Sequence, residues 1–513
     1  MSRNGVPVYE HGYGVANLEL RIPITPSSVF GAASISKQFT AMSILLLAGR
    51  AQLSLDDEVS KFVPEWVDHE HHVTIRHLLT HTSGIREGFA LLGWALPSDG
   101  SINTNEAMVP MLARQRGLNF TPGSEYQYNN GAYNLLGSIV KHVSGQSLRA
   151  FADANIFKPL GMTSTHYRDD PAMILPYRAS GYSQELSGFG NVSEAVGVVG
   201  NAGVYTTIRD LLLGEQNFAD VRVGTPADIA AMQAQTVLTS GRTSAYGFGL
   251  AIRQYRGLRT IEHAGSDRGI ATNAVRYPDQ QLAVVVLCNL DTIDVNSLTR
   301  AMTDIHLADT LAARSPSSSA PPSRLVSLSD DELANRAGLY RSSSNTDRAI
   351  RISVRNGTVI ARSFYGDDTD VESTPVSANR FRLPGSTNAL EFVPATAVRP
   401  HEWHIVDNAG KQLDVLELVT SEPSTMDLRS SVGEYRSLEI DVTYTVALEG
   451  SGLAVRPPGG AHIVLQPVAK DVFAGDSVGT VKFLRDARGA VSGFTVNRDK
   501  ARGIRFDRVK PAG

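Results

Sequence analysis

Cysteine is almost missing from this chain. Cys288 is the single one among 513 residues. An intrachain disulfide is therefore excluded, and so is a zinc site built from cysteines. Cys288 ends the apolar run Leu282-Ala283-Val284-Val285-Val286-Leu287-Cys288, which predicts a buried strand with its thiol in the core. Long apolar runs are also missing. No stretch reaches the ~18 consecutive apolar residues that span a bilayer, so no membrane partner is expected. The start, Met1-Ser2-Arg3-Asn4-Gly5-Val6-Pro7, has no apolar signal region, and the chain as written reads as cytoplasmic. Neither sign of charge dominates, with 48 Lys and Arg against 52 Asp and Glu and a net charge of -4. No basic face is implied, and nucleic acid is not an expected partner.

What is present is more than one core can hold. A chain this long predicts two to four domains. Residues 1–313 mix helical and strand patterns. Val6 to Leu18 alternates and is glycine-rich, as in an edge hairpin. Ala41 to Leu53 is an apolar helix, and Val73 to Leu79 reads as a short capped one. Residues 314–325, with Arg314-Ser315-Pro316-Ser317-Ser318-Ser319-Ala320-Pro321-Pro322-Ser323, have linker composition. Beyond them the texture turns all-β. Gly338-Leu339-Tyr340-Arg341-Ser342 recurs as Gly433-Glu434-Tyr435-Arg436-Ser437, and Phe381 and Phe392 correspond to Phe473 and Phe483. Two related barrel-like or sandwich domains follow, over residues 326–425 and 426–513. The expected class is α+β: one mixed domain, then two small all-β domains.

The chemistry starts at Ser34-Ile35-Ser36-Lys37, at the mouth of the apolar segment Phe39 to Leu47. On a helix, residues three apart share a face, and Ser34 would sit where unpaired amides favour negative charge. A desolvated lysine can serve as the base that a serine nucleophile needs. Chance supplies roughly one or two S-x-x-K copies in a chain of this length and composition. A second copy, Ser138-Ile139-Val140-Lys141, does lie inside Tyr133 to Val140. That segment reads as a buried helix interior without free amides, so Ser138 is assigned to packing.

Other candidates are spread along the chain. Tyr128 sits on a loop, where a nearby lysine could lower its pKa and make it a proton shuttle; alone, it reads equally as a half-buried loop aromatic. Asn130 can accept from Lys37 and donate to a substrate carbonyl. His263-Ala264-Gly265-Ser266 ends a strand, and the amides of Ser34 and Ser266 could form an oxyanion hole. His263 could orient the substrate or Tyr128. Asp68-His69-Glu70-His71-His72 and the pair His77 and His81 are dense in ligand types. They lack a metalloprotease glutamate, and no metal is assigned to them. Asn191-Val192-Ser193 is a glycosylation triplet of the kind chance supplies.

Taken in order, these pieces resemble the serine β-lactamase-like superfamily, in its class C and peptidase S12 branch. The resemblance runs over about residues 5–305. It rests on Ala33 to Thr40, Ile75 to Gly84, Tyr126 to Gly137, Asn201 to Thr207 and His263 to Ser266. It implies an antiparallel sheet flanked by helices, Ser34 as the nucleophile of an acyl-enzyme, and acid–base work shared by Lys37 and Tyr128. It further implies that Asn130, Gly265 and Ser266 hold the substrate and its oxyanion. The segment His77 to Gly84 is structural in the family. His263 stands where β-lactamases of this branch have a lysine, and that loss removes a fixed charge for a substrate carboxylate. Together with two appended β domains, it implies a metal-independent aminopeptidase or amidase acting on small peptides, D-residues included, with no cofactor.

The alternative is a family VIII-type carboxylesterase on short esters. A β-lactamase and a non-catalytic penicillin-binding sensor carry less weight. Relatives usually have a helix and a strand before the segment equivalent to Val6 to Gly14. A longer native N-terminus would make the periplasm the expected compartment. An exposed sheet edge there would invite homo-oligomerisation.

Overall fold

The computed structural model describes all residues except 68–71, 96–102, 186–187, 193–195, 314–327, 367–368, 385, 387, 398, 421–424, 451, 461 and 511–513. The linker segment, most of the Asp68–His72 cluster and Ser193 of the glycosylation triplet fall outside the described residues. The chain divides into two compact units. One holds Met1–Phe89 and Gly100–Arg314, and the other holds Ala90–Asp99 and Ser315–Gly513.

In the first unit an antiparallel sheet runs in the order Ala251–Tyr255, Leu258–Asp267, Ile270–Tyr277, Leu282–Cys288, Ser2–Arg3, Val6–Pro7. Its central strand, Ile270–Tyr277, is buried at every residue. Helix Val295–His306 packs on one face. The turn Ala33–Ser36 and, after it, helix Lys37–Gly49 lie on the other. That helix is buried on nearly every side, its polar Lys37, Gln38, Thr40 and Ser43 included, as an enclosed element rather than a surface one is. Its neighbour, Asn130–Ser144, is amphipathic. The Asn129 side chain accepts from Ala132 N–H at its start, and Gly145 at φ 70 closes its end. Cys288, expected in the core, is only half-buried, because the strand runs outward beyond the cluster of Val275, Tyr277, Leu282 and Val284. Partial burial pushes its thiol up to about 11.

The second unit carries two β rings. In the first, Asp370–Glu372 and Thr374–Pro375 form one strand bent at Ser373. This strand pairs with Thr358–Ser363 on one side and Arg380–Arg382 on the other. Gly338–Ser342 pairs with Gln412–Leu418, which completes the ring around Trp403, Tyr340 and Phe381. The second ring is a closed eight-stranded barrel from Gly433–Ser437 to Ala501–Arg508. The sequence repeat maps onto equivalent places. Tyr340 and Tyr435 lie on the first strand of each ring and donate to carbonyls four residues upstream, those of Arg336 and Ser431, at 2.7 and 2.8 Å. The mixed unit followed by β barrels is the α+β architecture expected. The membership of Ala90–Asp99 in the second unit was not visible in the sequence. There Tyr444 donates to the Trp94 carbonyl at 2.8 Å.

Candidate active site

Ser34 is the one residue of the run Ser28–Leu45 that is not buried. It lies in the tight turn Ala33–Ser36, which leads directly into helix Lys37–Gly49. The turn is held from several sides. Ala32 N–H donates to Val204 O at 2.7 Å, and Val204 N–H donates back to Ser36 Oγ at 3.0 Å. Ser36 Oγ donates to Ala33 O at 2.6 Å, and Thr272 Oγ1 to Ala32 O at 3.1 Å. Ala33 sits at φ 46, a left-handed conformation costly for a residue with a Cβ and paid for by these bonds. Strand Leu258–Asp267 passes close by at Gly265. A Cβ there would lie 2.6 Å from Ala32 O and 2.9 Å from Ala33 Cβ. Only glycine allows the strand to approach the serine this closely.

Lys37 is fully buried behind Ser34. Its Nζ lies 3.0 Å from Ser34 Oγ, 2.9 Å from Asn130 Oδ1 and 2.8 Å from Asn201 O. The carbonyl and the amide oxygen can only accept, so they take two N–H bonds. The third neighbour is a hydroxyl, which can donate to the lone pair of a neutral amine. Burial pushes the amine well below its ordinary value, and the charges of Glu87 and Asp267 pull it back only in part.

Tyr128 donates to Ser34 Oγ at 2.9 Å from the other side. Contrary to the expectation of a lowered phenol, burial pushes its pKa up, and the bond to Ser34 offsets this only in part. Tyr128 therefore rests as a protonated donor rather than as a phenolate. Behind it stands His81, fully buried at φ 57. Its ring centroid is 4.4 Å from that of Tyr128, 5.1 Å from Tyr133 and 4.7 Å from Tyr246. His81 Nδ1 accepts from Asn129 N–H at 3.1 Å. Nε2 therefore carries the ring proton, has no hydrogen-bond partner, and is enclosed by aromatic rings. His77 serves elsewhere, in a capping box with Thr74. His77 and His81 thus do not form a pair. Among the described residues no group of three or more His, Cys, Asp and Glu is placed to hold a metal.

A cavity of about 510 Å³ opens in front of the serine. It is lined by Ser34, Tyr128, Asn130, His263, Gly265 and Ser266, with Tyr126, Tyr246 and Arg253 beside them. The seven residues singled out in the sequence thus converge, with Lys37 beneath the floor. Ser138 does not join them. It is half-buried in helix Asn130–Ser144, and its Lys141 pairs with Glu106 at 3.4 Å in solvent. Three contributors escaped sequence reasoning: the Asn201 carbonyl, His81 as the support of Tyr128, and Tyr246. The signal for Asn201 was available in Asn201-Ala202-Gly203-Val204, where Gly203 at φ 96, with Gly200 just before the segment at φ 113, shapes the turn that presents the carbonyl.

Comparison with known proteins identifies the family. A family model described as Beta-lactamase matches residues 1–307. A D-aminopeptidase of Brucella anthropi is 25% identical, over 99% of this chain and 94% of its own. Penicillin-binding protein 4* of Bacillus subtilis strain 168 is 31% identical over 308 residues, 56% of this chain and 66% of its own. The octameric penicillin-binding protein homologue from Pyrococcus abyssi has a related fold. Its TM-score is 0.55 at 22% identity, over 81% of this chain and 94% of that one. Among the described residues no helix is long and apolar enough to cross a membrane.

Proposed function

The chain belongs to the β-lactamase family and is a serine hydrolase; from that premise we propose that it releases N-terminal D-residues from small peptides or amides through an acyl-enzyme on Ser34. One observation carries the mechanism: Ser34 Oγ sits between Lys37 Nζ at 3.0 Å and Tyr128 OH at 2.9 Å. The choice of substrate is supported by the likeness to a D-aminopeptidase over nearly the whole chain.

The proton path follows from the rest state. Ser34 passes its proton to Lys37 as Oγ attacks the carbonyl carbon. The amides of Ser34 and Ser266 meet the oxyanion, and the Asn130 amide nitrogen is free to hold the substrate. The departing nitrogen takes a proton from Tyr128, and the tyrosinate is stabilised by the new ammonium of Lys37. In deacylation, water gives a proton back to Tyr128 while its oxygen attacks the ester. Lys37 then returns its proton to Ser34. Each group ends as it began.

The test is a panel of D- and L-aminoacyl p-nitroanilides, p-nitrophenyl acetate and butyrate, and nitrocefin, with fluorophosphonate labelling of Ser34. D-aminoacyl anilides should turn over fastest. Turnover of esters alone would replace the peptidase reading with an esterase. A protein that neither turns over nor labels would be a sensor.

A further inference from the structure

His263 uses both of its ring nitrogens. Nδ1 lies 2.6 Å from the carbonyl oxygen of Ala264, and Nε2 lies 2.9 Å from the hydroxyl of Tyr246. A carbonyl oxygen only accepts, so Nδ1 carries the proton. In a neutral ring, Nε2 then accepts from Tyr246. Tyr246 is buried and fixed in place, packed against His81 and Tyr128.

The charged surroundings oppose a second proton. Arg253 is the cation near the ring, and Lys37 adds to it whenever it holds a proton. On its own strand, the neighbouring carboxylate Glu262 is held by Arg300 and, at 3.5 Å, by Arg253. Asp267 lies at the far end of that strand. Tyr128 and His81 also lie beside it, and Asp291 and Asp294 line the same cavity. Burial drives the imidazole down to about 3.

We propose that Tyr246 is a positioning residue that locks the neutral His263 ring in the tautomer with its proton on Nδ1, and that this lock makes the site select amides and peptides without a carboxylate beside the scissile bond. The selection rests on Ser34 being the nucleophile of the proposed peptidase; the tautomer does not. A neutral ring whose acceptor is already engaged offers a carboxylate neither charge nor a free donor. Without the tyrosine hydroxyl, Nε2 is open to the cavity, and the neutral ring can carry its proton there and donate it to an anion.

Two measurements on the full-length protein test this. In ¹⁵N spectra of histidine-labelled wild type, His263 should show a protonated Nδ1 and should not titrate between pH 5 and 8. In Tyr246→Phe the proton should be shared between Nδ1 and Nε2. In kinetics, the ratio of kcat/KM for a D-dipeptide with a free carboxylate to that for the matching D-aminoacyl amide should be flat with pH in wild type. In Tyr246→Phe the ratio should rise roughly tenfold or more at every pH in that range, the strength of a hydrogen bond to a charged group. Adding His263→Gln to that variant should cancel the rise. Loss of the base at low pH affects both substrates and drops out of the ratio. A wild-type His263 protonated on Nε2, or titrating like a free histidine, would overturn the proposal. So would a ratio in Tyr246→Phe equal to that of wild type. If no substrate turns over at all, the peptidase reading fails, and the spectra still decide the lock.

Discussion

The Nζ of Lys37 lies 2.8 Å from the carbonyl oxygen of Asn201, 164 residues further along the chain. This contact makes the lysine a base as well as a neighbour of Ser34. Together with Asn130 Oδ1 it fixes two amine hydrogens away from the serine, so the lone pair of the neutral amine faces Ser34 Oγ. The direction of the pH dependence follows. The active form is the unprotonated amine, and burial lowers its pKa, so that form accumulates at lower pH than for a free lysine. Turnover should climb on the acid side and level off well before ~10.4, where a free lysine titrates. A climb that continues to that value would remove Lys37 from the role. Lys37→Arg, which stays charged, should lose roughly 10²–10⁴-fold.

The two S-x-x-K copies make opposite predictions. Ser34→Ala should fold normally and lose more than about 10³-fold in kcat, since no other group in the cavity can form the acyl-enzyme. Ser138→Ala should keep full activity and change stability by no more than about 0.5 kcal/mol, the scale of helix propensity. Turnover in the Ser34 variant would refute the assignment, and so would its loss in the Ser138 variant. Steady-state rates beside circular dichroism are sufficient to decide.

The sites legible in the sequence share a property: their chemistry is carried by side chains in compact local motifs. Ser34 and Lys37 are three residues apart, and Tyr128 and Asn130 two. What stayed hidden is made only by folding. The Asn201 contribution is a backbone carbonyl, which no side chain announces. Tyr246 acquires its role from a hydrogen bond to a residue 17 positions away, on strand Leu258–Asp267. The raised pKa of Tyr128 depends on how deeply the loop is buried, and loop composition does not report that. In the β unit, alternation and the Tyr340 and Tyr435 repeat marked the strands. Ring closure through the bend at Ser373 is a matter of pairing, which alternation leaves undetermined.

Gly265→Ala tests the close approach of strand to nucleophile. The new methyl would press on Thr272 Oγ1 and lie 2.6 Å from Ala32 O, a backbone atom of the tightly held turn. The strand or the turn must shift. Overpacking of this kind costs about 1–3 kcal/mol, and a displacement near 1 Å at the reacting atoms can cost about 10²-fold in rate. The expected variant is folded, somewhat less stable and at least 10²-fold slower, with kcat falling more than KM rises. Wild-type kinetics would mean that the strand does not supply the oxyanion donor.

His81 supports Tyr128 and Asn130 without touching the cavity, and His81→Phe separates that support from ring volume. Phenylalanine fills the same space among Tyr128, Tyr133 and Tyr246 but cannot accept the Asn129 N–H bond. A buried donor left without a partner costs about 1–3 kcal/mol. The loss falls where Asn129 caps helix Asn130–Ser144, the element that carries Asn130 to Lys37. The melting temperature should drop, and kcat should drop with it, while binding of a ground-state amide changes less. If stability falls with kcat intact, His81 serves the fold alone. If neither moves, the Asn129 bond contributes nothing to holding the base in place.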